Sequence, residues 1–325
     1  MKKVMRCMCM MALVALAFTS CKKKEEGKTS FRAATQEFVI QSEDGERAYI
    51  DANKKIHFEV GDMCMLFNLS EANPMQSASA LYEAVEDGNY VLFEESGYGE
   101  VPMNALDGGF YCYYPGGPAN VRTELNDGEN KAKFHLAPVQ TYREGMVGLE
   151  AMYMAAKDDA AANLEECDFQ MSNICGILQL KPYEAAQRTI TSIEIVDNAF
   201  DLTGWCELIL PELDPEEMQA MFNNFDMSDP SYAATLAAYL TRIGYNVTDK
   251  GQSVTLDIPG GVQLKDNKTE TPVFNIVLRP LALSQGCHII FTFDDTTTKD
   301  VDLSAYNLMI KPNFIKPVSL NMDNF

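Results

Sequence analysis

The sequence has few of the residues on which most enzymes and nucleic-acid-binding proteins depend. Its 325 residues include three histidines, one tryptophan, and 26 Lys and Arg against 47 Asp and Glu, which gives a formal net charge of −21. This charge argues against a nucleic-acid groove and against electrostatic docking on anionic lipid. The HExxH, Cys-x-x-Cys, phosphate-loop and Gly-x-Ser-x-Gly patterns are also missing, so zinc-protease, redox, nucleotide and α/β-hydrolase chemistry have no signature here.

The few candidate ligand residues have simpler structural interpretations. His57, His135 and His288 each alternate with apolar residues, which predicts a surface or structural role on the face opposite the core. Asp294 and Asp295 precede three threonines, and Asp197 lies near Asn198 and Asp201; both groups could offer oxygens to calcium. They lack the ordered spacing of a calcium loop, and hairpin turns use the same residues. We therefore predict no metal, no cofactor and no catalysis.

The N-terminus has the pattern of an export signal. Basic residues at positions 2, 3 and 6 precede an apolar run from Cys7 to Phe18, which is too short to span a bilayer. Small residues then lead to Cys21, which is followed by a charged segment. This order is similar to a bacterial lipoprotein signal, with residues 1–20 removed and Cys21 lipidated; ordinary secretory cleavage is the alternative. Residues 21–30 would be a flexible tether.

Cysteine usage favours buried thiols over a disulfide framework. Six cysteines follow Cys21, and a chain of this length does not need disulfides to hold a core. Most lie in apolar, strand-like runs, where cysteine acts as a small buried hydrophobe. These cysteines are Cys64, Cys112, Cys167, Cys175, Cys206 and Cys287.

Alternation of apolar and polar residues predicts a mainly β protein. The runs that alternate are centred on His57, His135, Glu194 and residues 254–258. Further strands are predicted at residues 38–40, 90–93, 274–278, 289–293 and 318–320. Each strand is short and bounded by Gly, Pro, Asn or Asp, as in an antiparallel sandwich.

Helix is predicted in two short segments between the β regions. Asp214-Pro215-Glu216-Glu217 supplies an N-cap, a first-turn proline and acids at a helix start. A second helix is predicted from a cap at Asp229 to a stop at Gly244, with apolar residues at spacings of three and four. A third helix is predicted for residues 78–85.

The acidic, alanine-rich segment 157–163 marks a predicted domain boundary.

Aromatic residues offer one candidate binding surface. Tyr111, Tyr113 and Tyr114 lie next to a Pro-Gly-Gly-Pro turn and, with Trp205, could form a sugar-binding platform. In an alternating strand, however, Tyr111 and Tyr113 share one face while Tyr114 lies on the other. The pattern therefore favours a strand that is covered on both sides.

Several segments form a recognisable order along the chain. Residues 45–62 contain Arg47-Ala48, a strand-like run that includes Phe58, and Gly61-Asp62. The other segments are Phe110 to Pro115, Leu136 to Gln140, Phe169 to Leu180, Leu202 to Gly204, Phe274 to Pro280 and Ile310 to Asn313. Taken in order, these segments resemble the fimbrillin family of Bacteroidetes surface fimbriae and their lipoprotein relatives, with Phe58 in place of the family's usual Trp. Together they cover nearly the whole chain.

The resemblance implies two transthyretin-like β-sandwich domains in tandem, at residues 31–162 and 163–325, with the short helical insertion in the second. It also implies an assembly mechanism, donor-strand exchange: after export as a lipoprotein, an arginine-specific cut releases the first strand, and a strand from the next subunit fills the groove. On this chain the first strand would be residues 30–41. The cut would fall at Arg47-Ala48 or at Arg32-Ala33.

The donor strand implied by the resemblance is the C-terminal segment, whose apolar residues could equally form the last strand of the second domain. Its candidate residues are Phe314, Ile315, Val318 and Leu320. We therefore expect a non-catalytic fimbrial subunit or adhesin on the outer membrane. Its partners would be other fimbrial subunits, the membrane through the lipid, and a host or bacterial surface ligand. The alternative is a monomeric glycan-binding lipoprotein of a polysaccharide-utilisation system.

Overall fold

The structure is a computed structural model. It describes residues 28–41, 47–49, 57–116, 121–124, 131–144, 153–223, 231–244, 246–283, 286–304, 306 and 308–325. Cys21, the signal segment 1–20 and most of the tether lie outside these residues, as do Asp229 and residues 45–46 and 50–56 of the 45–62 segment.

The described part of the chain is mainly β, as predicted. The strands of the first half are β1 (Ser30–Thr35), β2 (Val39–Gln41), β3 (Arg47–Tyr49), β4 (Met63–Leu69), β5 (Ala78–Ala84), β6 (Tyr90–Gly99), β7 (Gly109–Tyr114), β8 (Val121–Glu124), β9 (Lys131–Leu136), β10 (Val139–Thr141), β11 (Met154–Asp158) and β12 (Asp168–Asn173). Those of the second half are β13 (Gly176–Tyr183), β14 (Thr189–Asp197), β15 (Thr203–Ile209), β16 (Asn246–Gly251), β17 (Ser253–Gln263), β18 (Phe274–Leu278), β19 (Leu281–Leu283), β20 (Cys287–Phe293), β21 (Thr298–Asp302), β22 (Leu308–Ile310) and β23 (Phe314–Asn321).

Seven of these strands form a closed sheet in the order β1-β12-β11-β7-β4-β5-β6. The sheet closes because β1 pairs antiparallel with β6 and parallel with β12. Alternate residues point inward, and the enclosed core consists largely of aromatic and small residues, among them Phe31, Phe93, Phe110 and Phe169. β12 follows the predicted boundary at residue 162, so strand pairing in this sheet crosses that boundary.

The remaining strands form four open sheets. Two have five strands, in the orders β10-β17-β14-β20-β21 and β18-β13-β23-β2-β3. One has four strands, β16-β15-β9-β8, and one pairs β19 with β22. A large aliphatic core lies between the sheets of the second half of the chain and includes Leu178, Ile193, Leu256 and Phe291. The division into two sandwich domains stays a prediction.

Two helices lie between β15 and β16, as the sequence predicted. Helix α1 is Pro215–Asn223, and Asp214 caps it by accepting hydrogen bonds from the backbone N–H groups of Glu216 and Glu217 at 2.9 and 3.0 Å. Helix α2 is Tyr232–Arg242, and Gly244, with φ +69°, follows its end. None of the helices described is long and apolar enough to cross a membrane.

Two predictions of local structure are wrong. Residues 78–84 are strand β5 rather than a helix, because β4 and β6 pair with them on both sides and tertiary pairing outweighs a weak helical pattern. The strand predicted around Phe58 is, in its described part, a single bridge to Gly88 followed by a turn at Val60. Phe58 is nevertheless fully buried, so its packing in the core does not require a run of paired strand residues around it.

Candidate functional site

The N-terminal strand β1 completes the closed sheet. It is hydrogen-bonded along both edges, to β6 and to β12. Phe31, Ala33 and Thr35 point into the core, while Arg32 and Ala34 face outward and are half-buried. Without β1 the sheet would have two facing edges with unpaired backbone groups and a gap in its core.

Phe31 fills an aromatic pocket. Its ring lies 5.0 Å from the ring of Tyr82, 5.5 Å from Phe93 in a stacked arrangement, and 5.1 Å from Phe169 edge-on. All four residues are buried. Burial raises the pKa of Tyr82 to about 12, and its hydroxyl hydrogen-bonds with the Thr29 hydroxyl at 2.6 Å. The pocket therefore accepts a flat apolar group and keeps its polar atom at the rim, beside Thr29.

Arg32 occupies a small polar site on the outer face of the closed sheet. Its Nη1 donates to Glu86 Oε1 at 2.9 Å, and its guanidinium lies 5.3 Å from the ring centroid of Tyr90. The same Glu86 oxygen accepts the backbone N–H of Leu92 at 2.9 Å. Because this hydrogen bond from β6 fixes the carboxylate, Glu86 stays oriented toward any cation at this position.

The segment between β1 and β2 joins two sheets. Gln36 N–H donates to the Met171 carbonyl at 2.9 Å, and Phe38 is buried in a core shared with α1 and α2. Asn313, just before β23, donates to the Glu37 carbonyl at 3.2 Å and accepts from Asn173 Nδ2 at 3.2 Å. The first strand predicted at residues 30–41 is therefore two strands, β1 and β2, in different sheets.

The two candidate cleavage points have different surroundings. Arg32-Ala33 lies inside β1, with backbone partners on both sides. Arg47-Ala48 lies in β3, which pairs with β2 and is the last of the strands described in its sheet. A protease must draw the chain into an extended conformation free of its neighbours, so β3 is the easier segment to open.

The candidate donor residues lie in β23 of the same chain. Phe314, Ile315, Val318 and Leu320 are all buried. β23 runs parallel to β13 over its length and parallel to β2 at Phe314 and Ile315. The N-terminal β2 thus covers part of the edge of the C-terminal strand.

The aromatic residues of the candidate platform are placed mainly in the interior. Tyr111, Tyr113 and Tyr114 lie in β7 with at most 5% of each side chain exposed. Trp205 is half-buried in β15, and its ring lies 5.0 Å from that of His135. The three tyrosines therefore do not form a flat row of exposed rings. Their burial agrees with the prediction of a strand covered on both sides.

The other candidate ligand residues have structural roles. Asp294 and Asp295 form the turn between β20 and β21, where Asp295 Oδ1 accepts the backbone N–H of Thr297 at 3.0 Å. Asp197 Oδ1 likewise accepts the backbone N–H groups of Ala199 and Phe200. His288 Nδ1 lies 2.9 Å from Asp300 Oδ1 across a strand pair. Within the described ranges, no three His, Cys, Asp or Glu side chains converge to hold a metal.

All six cysteines after Cys21 are buried free thiols. Burial raises the pKa of Cys167 and of Cys287 to about 12 each. Such thiols carry almost no thiolate at neutral pH, so nucleophilic chemistry is disfavoured at both positions.

Sequence reasoning missed the residues that surround β1. Tyr82 lies in the segment 78–85 that is predicted as helix, Glu86 follows it, and the predicted boundary assigns Phe169 to the second domain. Periodicity identifies an inward face but not which strands share it. Tyr82, Glu86 and Phe169 come together through the pairing of strands in the closed sheet.

The sequence matches no family model and no curated protein. Among solved structures, the fold is similar to that of a "putative cell adhesion protein" from Bacteroides uniformis, with a TM-score of 0.51, 12% identity, and coverage of 92% of this chain and 94% of that chain. A second structure with that description, from Bacteroides ovatus, gives a TM-score of 0.49 at 11% identity over 90% of this chain and 92% of that chain. The structure of a fimbrial protein from Bacteroides ovatus gives a TM-score of 0.39 at 12% identity, over 90% of this chain and 48% of that chain. At these identities the similarity concerns the fold alone, and it rests on the Bacteroides uniformis structure.

Proposed function

We propose that this chain is a non-catalytic cell-surface subunit of a fimbria or an adhesin, exported as a lipoprotein anchored through Cys21. It assembles by donor-strand exchange with other subunits. Support comes from the signal-like N-terminus, from the fold shared with a structure described as a cell adhesion protein, and from the position of the first strand. The ligand would be a molecule on a host or bacterial surface.

The position of β1 is the observation that carries the proposal. It is the first strand of the described chain, it pairs on both edges, and it supplies buried side chains to a core whose other residues follow it in the sequence. A strand of this kind can be replaced in trans, because a donor with the same alternation restores both ladders and refills the gap.

The cut that would release β1 is proposed at Arg47-Ala48. Cleavage there frees β1 and β2 together, which opens the closed sheet and also uncovers the edge of β23. Arg32-Ala33 is the weaker candidate, because its peptide bond lies between two backbone ladders.

The donor is proposed to be the C-terminal strand, with Phe314, Ile315, Val318 and Leu320 as its apolar residues. Donation requires β23 to leave its place beside β13, and loss of β2 removes one of the contacts that hold it there. One cut would then prepare both the accepting groove and the donating strand.

The glycan-binding alternative is less well supported. It needs exposed aromatic rings, whereas Tyr111, Tyr113 and Tyr114 are buried, and Trp205 is half-buried against His135. It would also leave β1 in place.

The test is intact-mass analysis and N-terminal sequencing of the protein from native cells, with and without an inhibitor of arginine-specific proteases. We expect a form that begins at Ala48 and runs as a ladder of oligomers, both lost with the inhibitor. Recovery solely of a monomer that begins at acylated Cys21 would refute assembly by strand exchange and favour the glycan-binding alternative.

A further inference from the structure

We propose that Arg32, Glu86, Tyr90 and Asp168 form an ionic clasp on the outer face of the closed sheet, and that this clasp makes the departure of β1 from a cut chain depend on ionic strength. The inference rests on the function proposed above, because a rate of departure has meaning only for a removable strand. It concerns how long β1 stays in the sheet and is independent of the strand that replaces it.

Arg32 is the one charged residue in the sequence of β1, Ser-Phe-Arg-Ala-Ala-Thr. It lies on the outward side of the strand, whereas Phe31, Ala33 and Thr35 contribute to the core. Within β1, ionic attraction to the rest of the sheet therefore acts through Arg32. The remaining contacts are backbone hydrogen bonds and apolar packing.

The groups around Arg32 come from both edges of β1. Its Nη1 donates to Glu86 Oε1 at 2.9 Å, in the turn between β5 and β6, and its guanidinium carbon lies 5.3 Å from the ring centroid of Tyr90 in β6. On the opposite edge, Asp168 of β12 is the backbone partner of Arg32. The clasp thus joins β1 to the strands on either side of it.

Asp168 adds a second negative charge to the clasp. Burial raises the pKa of Tyr90, the charge of Asp168 raises it further, and the charge of Arg32 lowers it. The phenol, the guanidinium and the carboxylate are therefore close enough to affect one another's charge. Two carboxylates and the face of one ring surround a single cation, which is an arrangement that favours its retention.

Salt can act on this clasp without disturbing the core. The side chains of Arg32 and Glu86 are each 43% exposed, so dissolved ions reach the pair. The screening length falls from about 30 Å in 0.01 M salt to about 3 Å in 1 M salt. The contacts of Phe31 are between buried, uncharged rings and do not depend on this screening. Retention of β1 thus has an ionic part that salt weakens and an apolar part that stays.

The chain contains a matched arrangement that does not touch β1. Arg242 of α2 donates to Glu217 of α1 at 2.6 Å, and its guanidinium carbon lies 5.3 Å from the ring centroid of Tyr239. These two charged side chains are 43% and 44% exposed, as in the clasp. Removing the charge of Arg242 therefore controls for the general effect of losing an exposed ion pair.

The experiment measures how fast the N-terminal fragment leaves. The chain from residue 22 to residue 325 carries a site for a specific protease between residues 41 and 47, and the fragment before the cut carries a fluorescent label. After cleavage, an excess of unlabelled peptide 28–41 is added, and loss of label from the large fragment is followed by size exclusion. The competing peptide has the native sequence of the fragment, so the rate reports departure of the strand alone.

We expect the departure rate to rise about fivefold between about 20 mM and about 500 mM sodium chloride, because an exposed ion pair beside an aromatic ring contributes roughly that factor. Arg32→Met, in both fragment and peptide, should raise the rate at low salt by about the same factor and remove most of its salt dependence. Glu86→Gln keeps an acceptor for the Leu92 N–H and should act in the same direction, with little further effect when combined with Arg32→Met. Arg242→Met should leave the rate and its salt dependence unchanged.

The outcomes that overturn the inference differ from those that overturn the proposed function. The same salt dependence in the parent, Arg32→Met and Glu86→Gln chains would refute the clasp and leave a removable strand standing. An effect of Arg242→Met equal to that of Arg32→Met would also refute the clasp, since the effect would then not arise at β1. Absence of exchange at both salt concentrations, in the parent chain and in Phe31→Ala, would refute a removable β1 and with it the proposed assembly. Circular dichroism of the uncut variants verifies that each one folds.

Discussion

Aromatic packing around Phe31 ties the first strand to the core of the closed sheet. Three rings lie within 5.5 Å of its own ring centroid, and 2% of the residue is exposed. Burial of one phenylalanine among other rings contributes both transfer free energy and specific ring contacts. The retention of β1 in the closed sheet therefore depends strongly on this residue.

Phe31→Ala should lower the free energy of unfolding by about 3–5 kcal/mol, because it removes a large buried ring and leaves a cavity. Equilibrium urea denaturation of the uncut chain measures this change. Tyr98→Ala is the control, since Tyr98 is 68% exposed, and its effect should stay within about 0.5 kcal/mol. Equal effects of the two substitutions would contradict the packing described.

The buried thiols predict a second residue-scale result. In a chain of residues 22–325, which retains six cysteines, a thiol-reactive dye at neutral pH should modify none of them rapidly, because all are buried and the pKa values of Cys167 and Cys287 are raised to about 12. All six should react in denaturant. Fast reaction of any thiol in the folded chain would contradict its burial and show that the segment around it opens readily.

At the scale of elements, the alternation of apolar and polar residues predicted many of the strands well, and local rules predicted α1. Asp214, Pro215 and Glu217 act within one turn, so sequence alone specifies that helix start. The same reasoning failed for β5, because this strand depends on pairing with β4 and β6, which lie outside the few residues that a helical pattern samples. It also could not find the aromatic pocket, whose walls come from strands far apart in sequence.

Gln140, in β10, shows how a side chain can take the place of a neighbouring strand. It is 2% exposed; its Nε2 donates to the Val277 carbonyl at 2.8 Å, and its Oε1 accepts the Val277 N–H at 2.9 Å. The amide thus pairs with β18, the last strand of its sheet, as a neighbouring backbone would.

Gln140→Ala should destabilise the chain by about 2–3 kcal/mol, because it leaves a buried N–H and a buried carbonyl of Val277 without this partner. Chemical denaturation and hydrogen exchange at Val277 are the measurements. Val139→Ala serves as the control, since Val139 is 55% exposed. An unchanged exchange rate at Val277 in Gln140→Ala would contradict the role given to the amide.

At the scale of the molecule, both ends of the described chain meet in one sheet. β2 and β23 are neighbours, and Asn313 links the β1–β2 segment to β12. The sequence predicted strands at both ends but not their adjacency, because pairing of distant segments has no local signature. The same limit explains why β12 belongs to the closed sheet although it follows the predicted boundary.

This arrangement predicts the order of proteolysis. An arginine-specific protease acting on the folded chain should cut Arg47-Ala48 well before Arg32-Ala33, by tenfold or more in rate, since among the described strands β3 has a partner on one side and β1 on both. Sequencing of the new N-termini over time distinguishes the two. Arg47→Gln should abolish the early product, whereas early appearance of a chain beginning at Ala33 would contradict the two-sided pairing of β1.

The two neighbours of β1 also have a consequence for biosynthesis. During translation β1 leaves the ribosome first, β6 follows, and β12 comes much later. A nascent chain interrupted before Asp168 would therefore hold β1 by a single edge at most. Parallel pairing between distant segments is slow to form, so closure of this sheet is a late event that waits for half of the polypeptide to be made.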